Sequence, residues 1–404
     1  DSDGDTDLDT VDDDGDSYSE AGGDCDDGDA SIHPDADETC DNGIDEDCDG
    51  WDDHCGPMGD LDLASADAVF FGEEEDDNAG FSVAGAGDVN ADGYADLLIG
   101  APGAWDSLRS GAYLVLGPVS GEVQLSDADT TFTGASYRAG CAVAGAGDVN
   151  ADGYADLIIG AKNSSDGATY AGAAYLVLGP ASDDLTLYSS ATCLWGEVTS
   201  EGAGYAVSGA GDVDGDGLDD VLIGAIINST AGAGAGAAYL VSGPMTASAG
   251  LSSSTAILYG EDAGDNAGVA VSGAGDVDHD GYADLLVGAY YESSAASLAG
   301  AAYLVLGPVT GVRDLANADA SIRGDAERDN AGCAVSGAGD VDDDGMDDFL
   351  VAASGHDDKA AFLFYGTVSG ELSLADADAS LLLGSASFAV AGAGDVDADG
   401  FADV

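Results

Sequence analysis

The nine residues DVNADGYAD occupy positions 88–96 and return unchanged at 148–156. Close variants follow: DVDGDGLDD at 212–220, DVDHDGYAD at 276–284, DVDDDGMDD at 340–348 and DVDADGFAD at 395–403. The opening aspartates are therefore spaced by 60, 64, 64, 64 and 55 residues. A long, nearly fixed period restricts a chain to repeat architectures, in which each unit buries its apolar face against its neighbours. The units share one order: a short apolar run such as FSVAGAGDV, the acidic loop, ADLLIGA or its equivalent, a variable Gly/Ser/Ala stretch, GAAYLVLGP, and a last short run such as STAILYGE. Runs of four to eight residues rich in Val, Ile, Leu and Tyr, bounded by Gly, Pro and Asp, predict strands. Four strands per unit fit a propeller blade, and the Gly and β-branched residues argue against a helical solenoid. The expected fold class is all-β, a β-propeller of four-stranded blades whose last blade is incomplete in this sequence, with tight sheet-to-sheet packing allowed by Gly and Ala.

The loop itself predicts chemistry. Oxygen-bearing side chains stand at positions 1, 3, 5 and 9: Asp88, Asn90, Asp92 and Asp96; Asp148, Asn150, Asp152 and Asp156; Asp212, Asp214, Asp216 and Asp220; Asp276, Asp278, Asp280 and Asp284; Asp340, Asp342, Asp344 and Asp348; Asp395, Asp397, Asp399 and Asp403. Glycine holds position 6, where a sharp turn is needed. Position 7 is apolar throughout (Tyr94, Tyr154, Leu218, Tyr282, Met346, Phe401), a residue that can turn its carbonyl inward while its side chain packs into the fold. This is the logic of an EF-hand loop, shortened and closed by an aspartate at position 9. Ca²⁺ takes six to eight oxygens in a flexible cage, whereas Mg²⁺ demands stricter geometry and keeps its waters. Asp, Asn and Gly also form good turns. Turn propensity accounts for one loop, not for the same four positions in six copies. Nor does it account for carboxylates crowded in one turn, where like charges about 4 Å apart cost roughly 1 kcal/mol each even in water.

Eighty acidic residues against seven basic ones give a formal net charge of −73. Such self-repulsion opposes compaction unless cations offset it. It excludes nucleic acid as a partner, since no basic surface exists to meet phosphate, and argues against docking on anionic lipid. A disordered acidic chain is a poor reading, because runs such as AAYLVLG can be buried; a halophile's solvated surface is an alternative source of the acidity. No apolar run is long enough for a membrane-spanning helix. The sequence opens at Asp1 without a signal peptide and is read as a mature or trimmed form.

The unit FSVAGAGDVNADGYADLLIGAP resembles the FG-GAP repeat of integrin α-subunit β-propellers, and GAAYLVLG resembles that repeat's third strand. The resemblance covers roughly residues 60–404. It implies a propeller of seven blades, with calcium held in the hairpin between the first two strands of a blade. The sequence departs from that pattern in carrying six loops and in reaching Val404 early in the second strand of its sixth unit. The family's ligand-binding face works with a partner subunit, of which the sequence carries no sign.

Residues 1–56 are read as a separate small, loop-rich module and 57–404 as the propeller. The segment DCDDGDASIHPDADETCDNGIDEDCDG resembles the Asp/Cys-rich metal-binding motif of bacterial secreted and surface proteins, and DSDGDTDLD resembles thrombospondin type-3 calcium repeats. Asp45, Asp47, Asp49, Gly50 and Asp53 repeat the 1-3-5-6-9 spacing; Asp12, Asp14, Asp16 and Glu20 do so more loosely. With little to bury, such a module needs metal, disulfides or both. Cys25, Cys40, Cys48 and Cys55 lie within it and point to disulfides and an oxidising compartment, with the pairing left open. Zinc is the weaker option, because His33 and His54 lack a finger-like spacing.

Cys141 and Cys333 take the place of Phe81, Tyr205 and Phe388 in the repeat and are read as small buried groups. His279 is read as a surface residue. The tripeptide at Arg323–Asp325 is read as a chance variant of YGE and FGE rather than as a ligand motif, and Asn163 and Asn228 open glycosylation-type sequons in expected loops. Four histidines, no recurrent Ser/His pairing and no Lys/Arg cluster argue against an enzyme. Phospholipase relatives carry this repeat with their catalytic groups in an added domain. The expectation is therefore an extracellular or cell-surface calcium-binding propeller with a structural or adhesive role, working with other protein chains. Self-assembly into a polymer by strand exchange is set against simple continuation of the chain. A hydrolase of the calcium-propeller type and a calcium-buffering surface protein are the alternatives.

Overall fold

A computed structural model of the chain describes residues 18–19, 25–26, 28–34, 36, 48, 66–73, 75–103, 110–134, 138–181, 184–356, 360–366, 368–382, 389–394 and 401–404. The chain divides into two compact units, Asp1–Ala66 with Asp395–Phe401 and Asp67–Gly394 with Ala402–Val404. In the first, Cys25 and Cys48 form a disulfide and the rings of Tyr18 and His33 stack with centroids 5.2 Å apart. Cys40 and Cys55 lie outside the described residues.

The second unit is all-β, built of blade-like sheets as the repeat predicts. Blade I consists of the antiparallel strands Ser82–Gly87, Asp96–Ala101, Gly111–Val115 and Thr130–Thr133. Blade II repeats it with Ala142–Gly147, Asp156–Ala161, Ala173–Val177 and Thr192–Trp195. Blade III has Ala203–Gly211, Asp220–Ala225, Ala237–Val241 and Ala256–Tyr259. Blade IV has Val271–Gly275, Asp284–Ala289, Ala301–Val305 and Ala320–Arg323. Blade V has Ala331–Gly339, Asp348–Ala353, Ala360–Phe364 and Ala379–Leu382.

Each outer strand of blades I to IV also gains a parallel fifth strand lent by the next unit: Leu185–Thr186, Ala249–Gly250, Gly311–Asp314 and Gly370–Ser373. Gly121–Gln124 makes the same pairing with Ala68–Phe71. The repeat predicts four strands per blade, and the fifth does not announce itself because the lent strands are short and carry no apolar run. Their mark in the sequence is the leucine that follows. Leu125, Leu187, Leu251, Leu315 and Leu374 anchor a helical turn beneath the sheet and are essentially inaccessible.

The second and third strands read as unbroken apolar runs because both of their faces are covered. In blade II, Leu157 and Ile159 pack with Leu98, Leu114 and Phe132 of blade I, while Ile158 and Leu176 pack with Val221, Ile223 and Tyr239 of blade III. Side chains alternate across a strand, so one run supplies two inter-blade cores. Near their ends the second strands approach the next blade closely enough to admit only small groups. A Cβ at Gly224 would lie 2.1 Å from the Gly268 carbonyl oxygen of the next blade. The same approach recurs at Gly160 and Gly288, which fixes glycine in the IGA and VGA tripeptides. Together the first strands line one central channel, through Ser82, Val143, Val207, Val271 and Val335, which Val390 also lines.

Candidate metal centres

Each of the five fully described acidic loops joins the first strand of a blade to its second. The strand ends in a left-handed glycine (Gly87, Gly147, Gly211, Gly275, Gly339; φ between 71° and 82°) that turns the chain into the loop. Backbone N–H groups then aim the side chains. In loop 1, Asp92 N–H donates to Asp88 Oδ1 (3.1 Å) and to Asn90 Oδ1 (2.9 Å), and Gly93 N–H donates to Asp88 Oδ2 (2.9 Å). Tyr94 N–H donates to Asp92 Oδ1 (3.0 Å). Loops 2 to 5 repeat the bonds to positions 1 and 5. Three short side chains are thus held by their own turn before any ligand arrives.

The outcome is convergence of like charge. Carboxylate oxygens of Asp212, Asp214 and Asp216 lie within 4.8 Å of one another, as do those of Asp276, Asp278 and Asp284, and of Asp340, Asp342 and Asp344. Asp214 Oδ1 is buried and has no hydrogen-bond partner. A buried, unpaired carboxylate oxygen among other carboxylates is costly unless a cation neutralises it. The donor set, all hard oxygen with a position-7 carbonyl available, fits a hard divalent ion. Loops 1 and 2 differ in that the position-3 amides donate to position 5, Asn90 Nδ2 to Asp92 Oδ2 (2.9 Å) and Asn150 Nδ2 to Asp152 Oδ2 (3.0 Å).

The position-9 aspartates Asp96, Asp156, Asp220, Asp284 and Asp348 are almost wholly buried. One oxygen of each accepts from the position-2 N–H at 2.8–3.1 Å, and the other accepts from a glycine N–H just past the third strand at 2.8–3.0 Å. Each carboxylate oxygen has a second lone-pair direction left for a ligand. Burial, and to a lesser degree the neighbouring loop carboxylates, push the Asp156, Asp220 and Asp284 carboxyls up to about 6 against these N–H bonds. Burial raises Asp348 in the same way.

These shifts set a pH dependence. A carboxyl whose folded-state value lies near 6, against 3.8 unfolded, adds stability that is complete below 3.8 and lost as pH rises through 6. Protein stripped of divalent cations should therefore melt at a higher temperature at pH 5 than at pH 7.5. With calcium present the order should reverse, because protons then compete with the ion. Melting curves of stripped protein that rise with pH would contradict this.

Position 4, variable in sequence, is left-handed in all five fully described loops: Ala91, Ala151, Gly215, His279 and Asp343, with φ from 54° to 77°. A left-handed backbone costs a non-glycine residue on the order of 1–2 kcal/mol. The strain was not legible, because only one copy uses glycine there. At position 7, Tyr154, Leu218, Tyr282 and Met346 are half-buried, whereas Tyr94 is 54% and Phe401 38% exposed, so the expected packing holds for the middle units only. The Tyr282 ring lies against Gly215 of the preceding loop, and Tyr94 belongs to the first loop of the series. In loop 6, Asp395, Asp397 and Asp399 lie outside the described residues, as do Asp12, Asp14, Asp16, Glu20, Asp45, Asp47, Asp49 and Asp53; the Asp403 N–H donates to Gly394 O at 2.8 Å.

Arg323 is withdrawn from solvent. Its guanidinium pairs with Glu292 at 2.8 Å and Glu261 at 3.1 Å and also donates to Ser294 Oγ. An arginine so engaged cannot present an RGD-type ligand. Asn228 is buried, its amide donating to Glu201 (2.6 Å) and the Tyr239 hydroxyl (2.9 Å), so the folded chain offers no acceptor for glycosylation there. His279 is exposed. Cys141 is buried and its thiol is raised by that burial; burial and Asp166 push Cys193 up to about 12. Cys333 lines the channel.

With this geometry in place, residues 79–105, 142–177 and 267–305 match a family described as "FG-GAP repeat", and residues 24–54 match a family described as "Putative metal-binding motif". The chain is similar to integrin alpha-IIb of Mus musculus, 35% identical over 163 residues, which cover 38% of this chain and 15% of that protein. It is similar to integrin alpha-5 of Xenopus laevis, 33% identical over 164 residues (39% and 15%), and to integrin alpha pat-2 of Caenorhabditis briggsae, 35% identical over 101 residues (24% and 8%). The chain thus spans at most 15% of the length of these relatives.

Proposed function

We propose that the protein is an extracellular or cell-surface β-propeller with a structural or adhesive role, whose acidic hairpins bind calcium at positions 1, 3, 5, 7 and 9 and whose amino-terminal segment is a second metal-binding module. The observation that carries the cation reading is the convergence of Asp212, Asp214 and Asp216 with one buried oxygen left without a partner. The likeness to integrin α subunits supports the adhesive role and the extracellular setting. When bound, the ion supplies charge neutralisation and a fixed hairpin end. The chain's own turn supplies the aim of each carboxylate, and the position-9 aspartate ties the loop to the third strand. No step of this role calls for catalysis.

Other protein chains are the proposed partners. Self-assembly suits the latch between units, because a strand lent by a second copy can occupy the same kind of edge. Sedimentation of the protein in calcium should then show concentration-dependent association, and a strictly monomeric species at all concentrations would remove self-assembly. The cation reading is tested by native mass spectrometry. Asp212→Ala should lower the saturated ion count by one relative to the parent. The same count in variant and parent would contradict the assignment of that loop.

A further inference from the structure

We propose that the acidic loops are wired into one series, so that cation binding in one loop promotes binding in the preceding loop, and that Asp219 and Asp347 are the positioning residues that tighten this link at alternate junctions. The proposal rests on the reading of these loops as cation sites. Its starting point is a bond that recurs between consecutive blades. The position-8 N–H of each loop donates to the position-1 carbonyl of the loop before it: Ala155 to Asp88 (3.1 Å), Asp219 to Asp148 (3.3 Å), Ala283 to Asp212 (3.0 Å), Asp347 to Asp276 (3.3 Å) and Ala402 to Asp340 (3.1 Å).

The identity of the peptide groups gives this bond its meaning. The position-8 N–H belongs to the same peptide as the position-7 carbonyl, the loop's backbone ligand. The position-1 carbonyl that accepts it belongs to the same peptide as the position-2 N–H, which donates to the position-9 carboxylate of its own loop, for example Val149 to Asp156 Oδ2 at 3.0 Å. A line of two peptides thus runs from the carbonyl ligand of one loop to a carboxylate ligand of the loop before it. A cation on the carbonyl polarises its peptide and strengthens the N–H as a donor, and bonds in a chain reinforce one another. The same cation fixes the peptide's orientation, and with it the backbone of the neighbouring position-1 ligand. Coupling between two sites is reciprocal, so each loop must favour the other by the same factor.

Position 8 is alanine in loops 1, 2, 4 and 6 and aspartate in loops 3 and 5. Where it is aspartate, the carboxylate accepts from the position-1 N–H of the preceding loop as well: Asp148 N–H to Asp219 Oδ2 at 2.7 Å, and Asp276 N–H to Asp347 Oδ2 at 2.8 Å. Asp148 and Asp276 are therefore gripped at both their N–H and their C=O by the next blade. The glycines before them leave the space, since a Cβ at Gly147 or Gly275 would lie 2.1 Å from the Asp219 or Asp347 carboxylate. The junctions between loops 2 and 3 and between loops 4 and 5 are thus two-bonded, and those at Ala155, Ala283 and Ala402 rest on one bond.

The test is a calcium titration of the full chain followed by hydrogen exchange of the segment 148–156, with native mass spectrometry counting bound ions. Asp216→Ala disables loop 3 without touching loop 2. If the loops are wired, the calcium concentration that protects 148–156 should rise about five-fold in this variant, the low end of typical site-to-site coupling. Asp219→Ala, the residue naturally present at other position-8 sites, should produce a similar rise while the saturated ion count stays that of the parent. Asp219→Asn, which keeps an acceptor oxygen, should produce a smaller one. An unchanged titration of 148–156 in both Asp216→Ala and Asp219→Ala, with ions still bound, would overturn the wiring and leave the cation reading standing. A parent protein that binds no calcium would overturn both.

Discussion

Removing divalent cations should lower the melting temperature by roughly 15–20 °C, and restoring calcium should return it. The size follows from mass action. Each site held at about a hundred times its dissociation constant contributes about 2.7 kcal/mol to the native state. Several such loops together exceed 10 kcal/mol, and in a domain of this size each kcal/mol moves the midpoint by about 1.5 °C. The structural cause is the crowding of carboxylates that the turn itself enforces, since backbone N–H groups hold positions 1 and 5 inward whether or not an ion is present. Of the 24 side chains at positions 1, 3, 5 and 9 in the six loops, 22 are carboxylates, so the ion-free protein carries this repulsion at every hairpin. A halophile's acidic surface behaves differently, because molar monovalent salt would then restore stability without calcium. Differential scanning calorimetry in chelator, in calcium and in high potassium chloride separates the two, and an unchanged curve in excess chelator would remove calcium from the fold.

Much of this architecture is legible in the residues, for reasons that also mark where legibility stops. The period announces the blades because every unit must bury the same two faces, and DLIIGA and AAYLV read as continuous apolar runs because a blade lies on each side. The loop announces its chemistry because side-chain oxygens recur at fixed positions. The lent fifth strand escapes notice because its residues, such as Gly121–Gln124, lie at the rim and need no apolar pattern. The left-handed backbone at Ala91, Ala151, His279 and Asp343 escapes notice because tertiary context overrides the residue's own preference. The two aspartates at position 8 look like two more acids in an acidic chain. Their role depends on a neighbour 71 residues away, which no local pattern records.

Arg323→Ala should destabilise the second unit by roughly 3–5 kcal/mol, the usual consequence of removing one partner from a buried ion pair. Its side chain is 13% exposed and that of Glu292 only 2%, so solvent screens this pair little. The guanidinium holds Glu292 and Glu261 at once, and the Tyr303 hydroxyl donates to the same Glu261 oxygen at 3.1 Å. Burial, then Glu292, Asp262 and Glu261, raise the nearby Asp265 carboxyl to about 6, which shows how little negative charge this corner tolerates. Without Arg323 two carboxylates face each other with no countercharge in a chain already at −73. Arg323→Lys keeps the charge but not the planar fork that spans both acids, and should recover only part of the loss. Pairing Arg323→Ala with Glu292→Gln should recover more, because the stranded charge goes with it. Denaturant titration of the three variants measures the differences. If the tripeptide at Arg323–Asp325 were instead a surface ligand, Arg323→Ala would leave the unfolding midpoint unchanged and the arginine would be open to a binding partner. A midpoint shift of several kcal/mol equivalents, relieved by the second substitution, is the result that the buried pair requires.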